Sequence, residues 1–204
     1  MRYAALFVRD DSEYKNRDCD AWDKERDATK YDGDLPVVAH PPCRAWGMLA
    51  HMSFRSLPEE EREIARRKER ELALFSIDIV RRNGGIIEHP SGSRLFKGGH
   101  GATLPDVGDL TDEYGGFTIA FDQFDFGHVA SKPTKLYICG YPRNHPLPQL
   151  PQANTSIPTR SVTGFTIKVH GKYVKRCTLK EREHTPAALI DWIEEVLTRI
   201  GEGI

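Results

Sequence analysis

The sequence predicts an α/β protein built on an open, mostly parallel sheet with flanking helices, and three observations carry that prediction. Short apolar runs alternate with helical or loop segments along most of the chain. Each run ends in polar or turn-forming residues, as the buried strands of a doubly wound sheet do. Two segments carry the apolar stripe of helices that lie against such a sheet. The chain has 204 residues, 29 Lys+Arg against 30 Asp+Glu, and a net charge of −1. That length can bury a real core, and that charge excludes a polycation that coats nucleic acid by bulk attraction. The mean hydropathy is −0.53, and no apolar run approaches the roughly 18 residues of a membrane span. The first apolar stretch, after Arg2, is too short for a signal-peptide core of about 7–15 residues. The expected setting is therefore the cytoplasm, without a membrane partner.

Five strands are expected, at Tyr3–Val8, Leu35–Ala39, Gly85–Glu88, Thr118–Phe121 and Lys135–Cys139. A long helix is expected from Leu57 to Arg82, with Ser56 as its N-cap, Glu59 completing a capping box and Pro58 in the first turn. Its first half, Glu59 to Arg70, reads as mostly a solvated face laced with i,i+4 pairs. Its second half, Leu72 to Val80, carries the apolar stripe, and Asn83-Gly84 ends it. Five prolines between Tyr141 and Arg160 make that stretch an irregular connection. Beyond it, Gly164 to Lys175 alternates like a hairpin around His170-Gly171. A last helix, Pro186 to Ile200, is expected to pack back on the sheet. The organisation is thus a catalytic domain over residues 1–140, a proline-rich connection and basic hairpin over 141–180, and a C-terminal helix within 181–204.

Charge is unevenly spread. Ten Asp/Glu lie between Asp10 and Asp34, whereas Arg160 to Arg182 holds seven Lys/Arg and one acidic residue, Glu181. Within the second stretch, Lys168, Lys172, Lys175 and Arg176 are candidates for contact with a nucleic-acid backbone. The four cysteines have no CxxC spacing and the histidines no ligand spacing, so neither a disulfide framework nor a metal site is expected.

Three segments could carry chemistry. Val37-Val38-Ala39-His40-Pro41-Pro42-Cys43-Arg44-Ala45-Trp46-Gly47 runs a buried strand into two prolines that stiffen the backbone and then presents a thiol. Strand ends of open α/β sheets are where ligands sit. Gly84-Gly85-Ile86-Ile87-Glu88-His89-Pro90 ends a second strand in a carboxyl group, and shielding from water there favours its protonated form. Phe126-Gly127 through Lys132 and Lys135 to Cys139-Gly140 is a loop with two lysines that feeds a third strand, suited to an anion.

Taken in this order, the three segments resemble the cytosine-C5 DNA methyltransferase family over roughly residues 35–140. Pro41-Pro42-Cys43 is similar to its nucleophile loop, Glu88-His89-Pro90 to its Glu-Asn-Val motif, and Lys132 and Lys135 stand where it has arginines. The resemblance implies a Rossmann-like domain in which Cys43 adds to C6 of a pyrimidine and Glu88 assists at N3. Such an attack makes C5 nucleophilic, which the ring alone is not. Cationic groups would bind the substrate and lower the thiol pKa. Pro42, Arg44, Trp46, His89, Lys132 and Lys135 are the implied substrate contacts, and the base must be flipped or already unpaired. S-adenosylmethionine is the implied donor, although Leu6-Phe7-Val8-Arg9-Asp10-Asp11-Ser12 lacks the family's glycine-rich turn; Asp20 and Asp23 are the candidates to hold it. Arg44 stands in place of a glutamine. A small, reduced member of this kind fits a phage genome, which would place it in the host cytoplasm. The alternative is a non-catalytic DNA-binding or restriction-modulating relative without a donor site.

Overall fold

A computed structural model of the chain describes residues 2–163, 166–169 and 171–203. The five expected strands are all present: β1 (Ala4–Leu6), β3 (Val37–Ala39), β4 (Gly85–Pro90), β5 (Phe117–Asp122) and β6 (Pro133–Cys139). An additional edge strand, β2 (Asp20–Trp22), escapes a search for apolar runs because it is only half-buried. The six form one sheet in the order β2-β1-β3-β4-β6-β5. Pairings among β2, β1, β3 and β4 are parallel, and β6 runs antiparallel to both β4 and β5. The fold is therefore α/β with a mostly parallel, mixed sheet.

Alternation along each strand sorts the core into two layers. Leu6, Val37, Ala39, Ile87, Tyr137 and Cys139 face the helix α1 (Glu59–Asn83), together with Ala73, Ile77 and Val80 from it. Ala5, Val38, Ile86, Leu136 and Ile138 face the other side. There the helix α3 (Ala187–Glu202) buries Leu189, Ile190, Trp192, Ile193, Val196 and Leu197. The apolar stripe anticipated for the last helix is the one that packs on the sheet. Gly85 allows β4 to pass close to β3, since a Cβ there would lie 2.0 Å from the Val37 carbonyl oxygen.

One expectation about α1 needs correction. Ser56 does not cap it: the N-cap is Pro58, without a side-chain hydrogen bond, and three glutamates in the first turn complement the helix dipole instead. Its first half is mostly solvated as expected, with Glu69 the buried residue in it.

Beyond the irregular 141–159 stretch, β7 (Arg160–Ser161), β8 (Ile167–Val169) and β9 (Lys172–Arg176) form a small three-stranded sheet in the order β7-β9-β8. β8 and β9 pair antiparallel, as the expected hairpin does; Gly164, Phe165 and His170 of that segment lie outside the described residues. A short helix, α2 (Leu179–Glu183), follows, with a Thr178–Glu181 capping box. No helix among the described residues is long and apolar enough to cross a membrane.

Candidate active site

The strand order reverses at β1: β2 lies on one side of it, while β3 and then β4 lie on the other. In open α/β sheets such a switch point opens a crevice beyond the strand C-termini. Here that crevice is a cavity of about 720 Å³. The ends of β1, β3 and β4 open into it, and the segment 180–185 closes its far side. Two ion pairs tie that segment to the end of β1, Arg9 Nη1 to Glu183 at 2.5 Å and Lys180 Nζ to Asp11 at 2.9 Å. Both are partly exposed and contribute little stability.

Cys43 from the turn after β3, Glu88 from within β4 and Lys132 from just before β6 all line this cavity. Cys43 is exposed. Its carbonyl accepts the N–H groups of Trp46 and Gly47, both at 3.1 Å, so a tight turn follows the two prolines and fixes the thiol's direction. Burial on the cavity side, then the charges of Glu88 and Glu69, push the thiol pKa up, with Lys132 opposing only weakly. The expectation of a thiol acidified by cations is thereby corrected.

Glu88 is almost fully buried. Its Oε1 accepts from Gln123 Nε2 at 3.0 Å, and its Oε2 lies 3.1 Å from His40 Nδ1. Burial alone would raise its pKa, but the charge of Lys132 and the contacts with His40 bring it down to about 2. Glu88 is therefore ionised at neutral pH, and the expectation of a protonated carboxyl group is wrong. A carboxylate can only accept, so His40 Nδ1 carries a proton. The other ring nitrogen of His40 lies 3.2 Å from the buried Tyr14 hydroxyl. A carboxylate–imidazole–phenol line thus runs along the cavity wall. Gln123 is itself held at 3.0 Å from Thr134 Oγ1, whose hydroxyl donates to the Lys132 carbonyl at 2.9 Å.

The remaining substrate-contact candidates divide. Pro42 and Arg44 line the cavity, and Lys132 reaches it with its ammonium group 3.3 Å from the His184 carbonyl. Arg44 is anchored from below, its Nε 2.9 Å and its Nη2 2.7 Å from Glu69 Oε2, while Glu69 Oε1 accepts the Ala45 N–H at 2.8 Å. His89 is also among the residues around the cavity, but its ring is fully buried beside the Pro41 and Pro42 backbone. Burial lowers its pKa to about 4, so the ring is neutral. Two candidates are corrected. Trp46 is fully buried and belongs to the core beside α1. Lys135 lies one residue out of phase with Thr134 and Leu136, so strand alternation turns it to the α1 side. There its ammonium group pairs with Asp106 and sits 5.3 Å over the Phe96 ring.

Tyr14, Gln123 and Glu69 were not singled out as chemical groups from sequence, and His40, expected only to flank the pocket, is the residue that contacts Glu88. Only Glu69 has a local signal, since it shares a helix face with Ala73, Ser76, Ile77 and Val80.

The residues do not fit S-adenosylmethionine where the resemblance places it. The turn after β1 puts Phe7 at φ 60, a conformation natural to glycine, and its ring packs 6.3 Å from Phe75. A donor cradle there requires bare backbone. Asp20 is taken up by Trp22 Nε1 and Arg26, and Asp23 by Lys15 and the amides of Glu25 and Arg26. Neither lines the cavity. The four candidate backbone contacts, Lys168, Lys172, Lys175 and Arg176, are exposed on β8 and β9. No protein-family model and no curated protein matches this chain.

Proposed function

We propose that this protein binds an unpaired pyrimidine of a nucleic acid, cytosine in DNA first, and activates C5 through a covalent Cys43 adduct. The observation that carries the reading is the convergence of an exposed thiol, a buried ionised carboxylate and a lysine on one cavity at the switch point of the sheet. The resting protonation states suit the reaction. Cys43 starts as a thiol and Glu88 as a carboxylate, so the thiol proton passes to Glu88 as sulfur attacks C6. The S–H bond breaks, an S–C6 bond forms, and neutral Glu88 delivers the proton to N3. The net change is addition of S–H across C6 and N3, which leaves an enamine whose C5 takes an electrophile. Lys132 offsets the charge of the resting Glu88 carboxylate and the charge that passes to the ring as sulfur attacks. His40 holds the carboxylate in place and, through Tyr14, is itself held.

S-adenosylmethionine is the donor the resemblance implies, and no step here is routed through it. The chemistry is readable without any donor, because C5 of the adduct takes a proton from water and reversal then exchanges the C5 hydrogen. Single-stranded DNA carrying tritium at cytosine C5 should release label to water with the wild type and not with Cys43→Ser or Glu88→Gln. Equal release from wild type and Cys43→Ser would sink the mechanism. Should DNA binding then persist in Cys43→Ala and Glu88→Ala, the non-catalytic reading, which the missing donor cradle favours, takes its place. Calorimetric titration with S-adenosylmethionine tests the donor separately.

A further inference from the structure

The small sheet carries a feature that charge alone does not explain. Tyr173, on β9, has 78% of its surface exposed, the most of any aromatic residue among those described. An isolated tyrosine on a solvated ribbon has no core to serve. Lys175 shares its face of the strand, while Lys172 and Arg176 alternate to the other face beside the buried Val174; all three are exposed. Across the ladder Tyr173 pairs with Lys168, whose ammonium group lies 5.8 Å from the centre of its ring. None of these four cations has an ion-pair partner among the described residues, whereas the neighbouring Arg160 and Lys180 are paired to Glu181 and Asp11. The sheet also springs from the rim of the cavity. Val162, just after β7, and the 180–185 segment, just after β9, both line it.

A polyanion is the occupant that four unpaired cations select, and the aromatic face narrows the choice further. In a duplex the base faces are stacked on each other and unavailable to a side chain. In a single strand they are free, and every base offers one. We propose that β8 and β9 form a binding platform for single-stranded nucleic acid, with Tyr173 stacking on a base next to the one that enters the cavity and the surrounding cations contacting phosphates. This deepens the functional reading by assigning the strand state of the substrate, and it rests on that reading only for the nucleic acid being the substrate.

The test is equilibrium binding of the full chain to a fluorescent oligothymidine, to the same sequence as a duplex, and to anionic phospholipid vesicles. Tighter binding to the single strand than to either competitor is expected. Tyr173→Ala should weaken it roughly 5- to 100-fold, the range set by base–aromatic stacking, and Tyr173→Phe should restore it. Tyr173→Ala should leave the salt dependence as it was, while Lys168→Gln with Lys175→Gln, the two cations on the face of Tyr173, should flatten it by about two counterions. Because Tyr173 is exposed, unchanged thermal unfolding of these variants is expected. The readout is equilibrium binding and not label release, so its failure and that of the covalent mechanism are told apart. Equal oligothymidine affinity for wild type and Tyr173→Ala, or a preference for duplex or vesicles, would overturn it.

Discussion

Glu69 shows how much of the site depends on a residue outside the cavity chemistry. One buried carboxylate fixes the Arg44 guanidinium and the Ala45 amide, and so sets the backbone that directly follows Cys43. Its negative charge also helps to keep the Cys43 thiol protonated. Glu69→Gln keeps an acceptor for Ala45 but removes the charge, so the thiol pKa should fall and alkylation by iodoacetamide at pH 7 should quicken. A rate equal to or below the wild type would contradict the electrostatic role. Glu69→Ala strands the buried Ala45 N–H, while the exposed Arg44 can turn to water, and should cost about 1–3 kcal/mol in denaturant unfolding. In the sequence this residue is masked by the charged run Glu59 to Arg70, whose i,i+4 pairs read as a solvated face. Only its phase with Ala73 and Ile77 sets it apart. The contact between His40 and Tyr14 leaves no trace in the sequence at all, since it joins residues 26 apart.

Among the elements, the strands were the most legible, because a buried strand is a short apolar run whatever its neighbours. β2 was not, because its half-buried Asp-Ala-Trp run has no apolar continuity. The antiparallel setting of β6 was not legible either, since strand direction is decided by pairing partners and not by the strand's own residues. At Gly85 the backbone of β4 passes too close to β3 for any side chain. Gly85→Ala forces a Cβ to within 2.0 Å of the Val37 carbonyl oxygen at φ 143, with no flexible side chain able to yield. It should destabilise the protein by roughly 4 kcal/mol or more. Gly92→Ala, where nothing lies within 4 Å of the added carbon, should stay within about 0.5 kcal/mol. Paired urea unfolding curves check both, and equal midpoints for the two variants would refute the close approach.

For the whole molecule, the buried charges beside the cavity link stability to pH. His89 titrates near 4 in the folded state and near 6.5 unfolded, because burial disfavours its cation. Between those values the unfolded chain binds more protons, so stability falls as pH drops from 6.5 to about 4, by about 3 kcal/mol at most. Glu88 has its ordinary 4.5 lowered to about 2 against the cost of burial. Its contribution is intact above 4.5 and is lost as pH falls from there towards 2. Urea unfolding free energies should therefore decline steadily from pH 7.5 to pH 3. In His89→Gln the upper part of the decline, between 6.5 and 4, should flatten. Equal stability of the wild type at pH 7 and pH 5 would exclude a buried neutral His89.

The sequence by itself determined where five of the six strands of the main sheet and the two long helices lie, that Cys43 follows β3 and Glu88 lies near the end of β4, and which helix stripes face the core. Those properties are local, carried by periodicity, proline and glycine over a few neighbouring positions. Only the tertiary structure decided that Lys135 faces away from the cavity while Lys132 enters it, that Trp46 is core, and that the turn after β1 is filled by side chains. It also decided the charges of the thiol and carboxyl groups, reversing both expectations. A protonation state is the sum of burial and of fields from groups distant in the chain. For Glu88 those groups are Lys132 and His40, which meet it only after the sheet has formed.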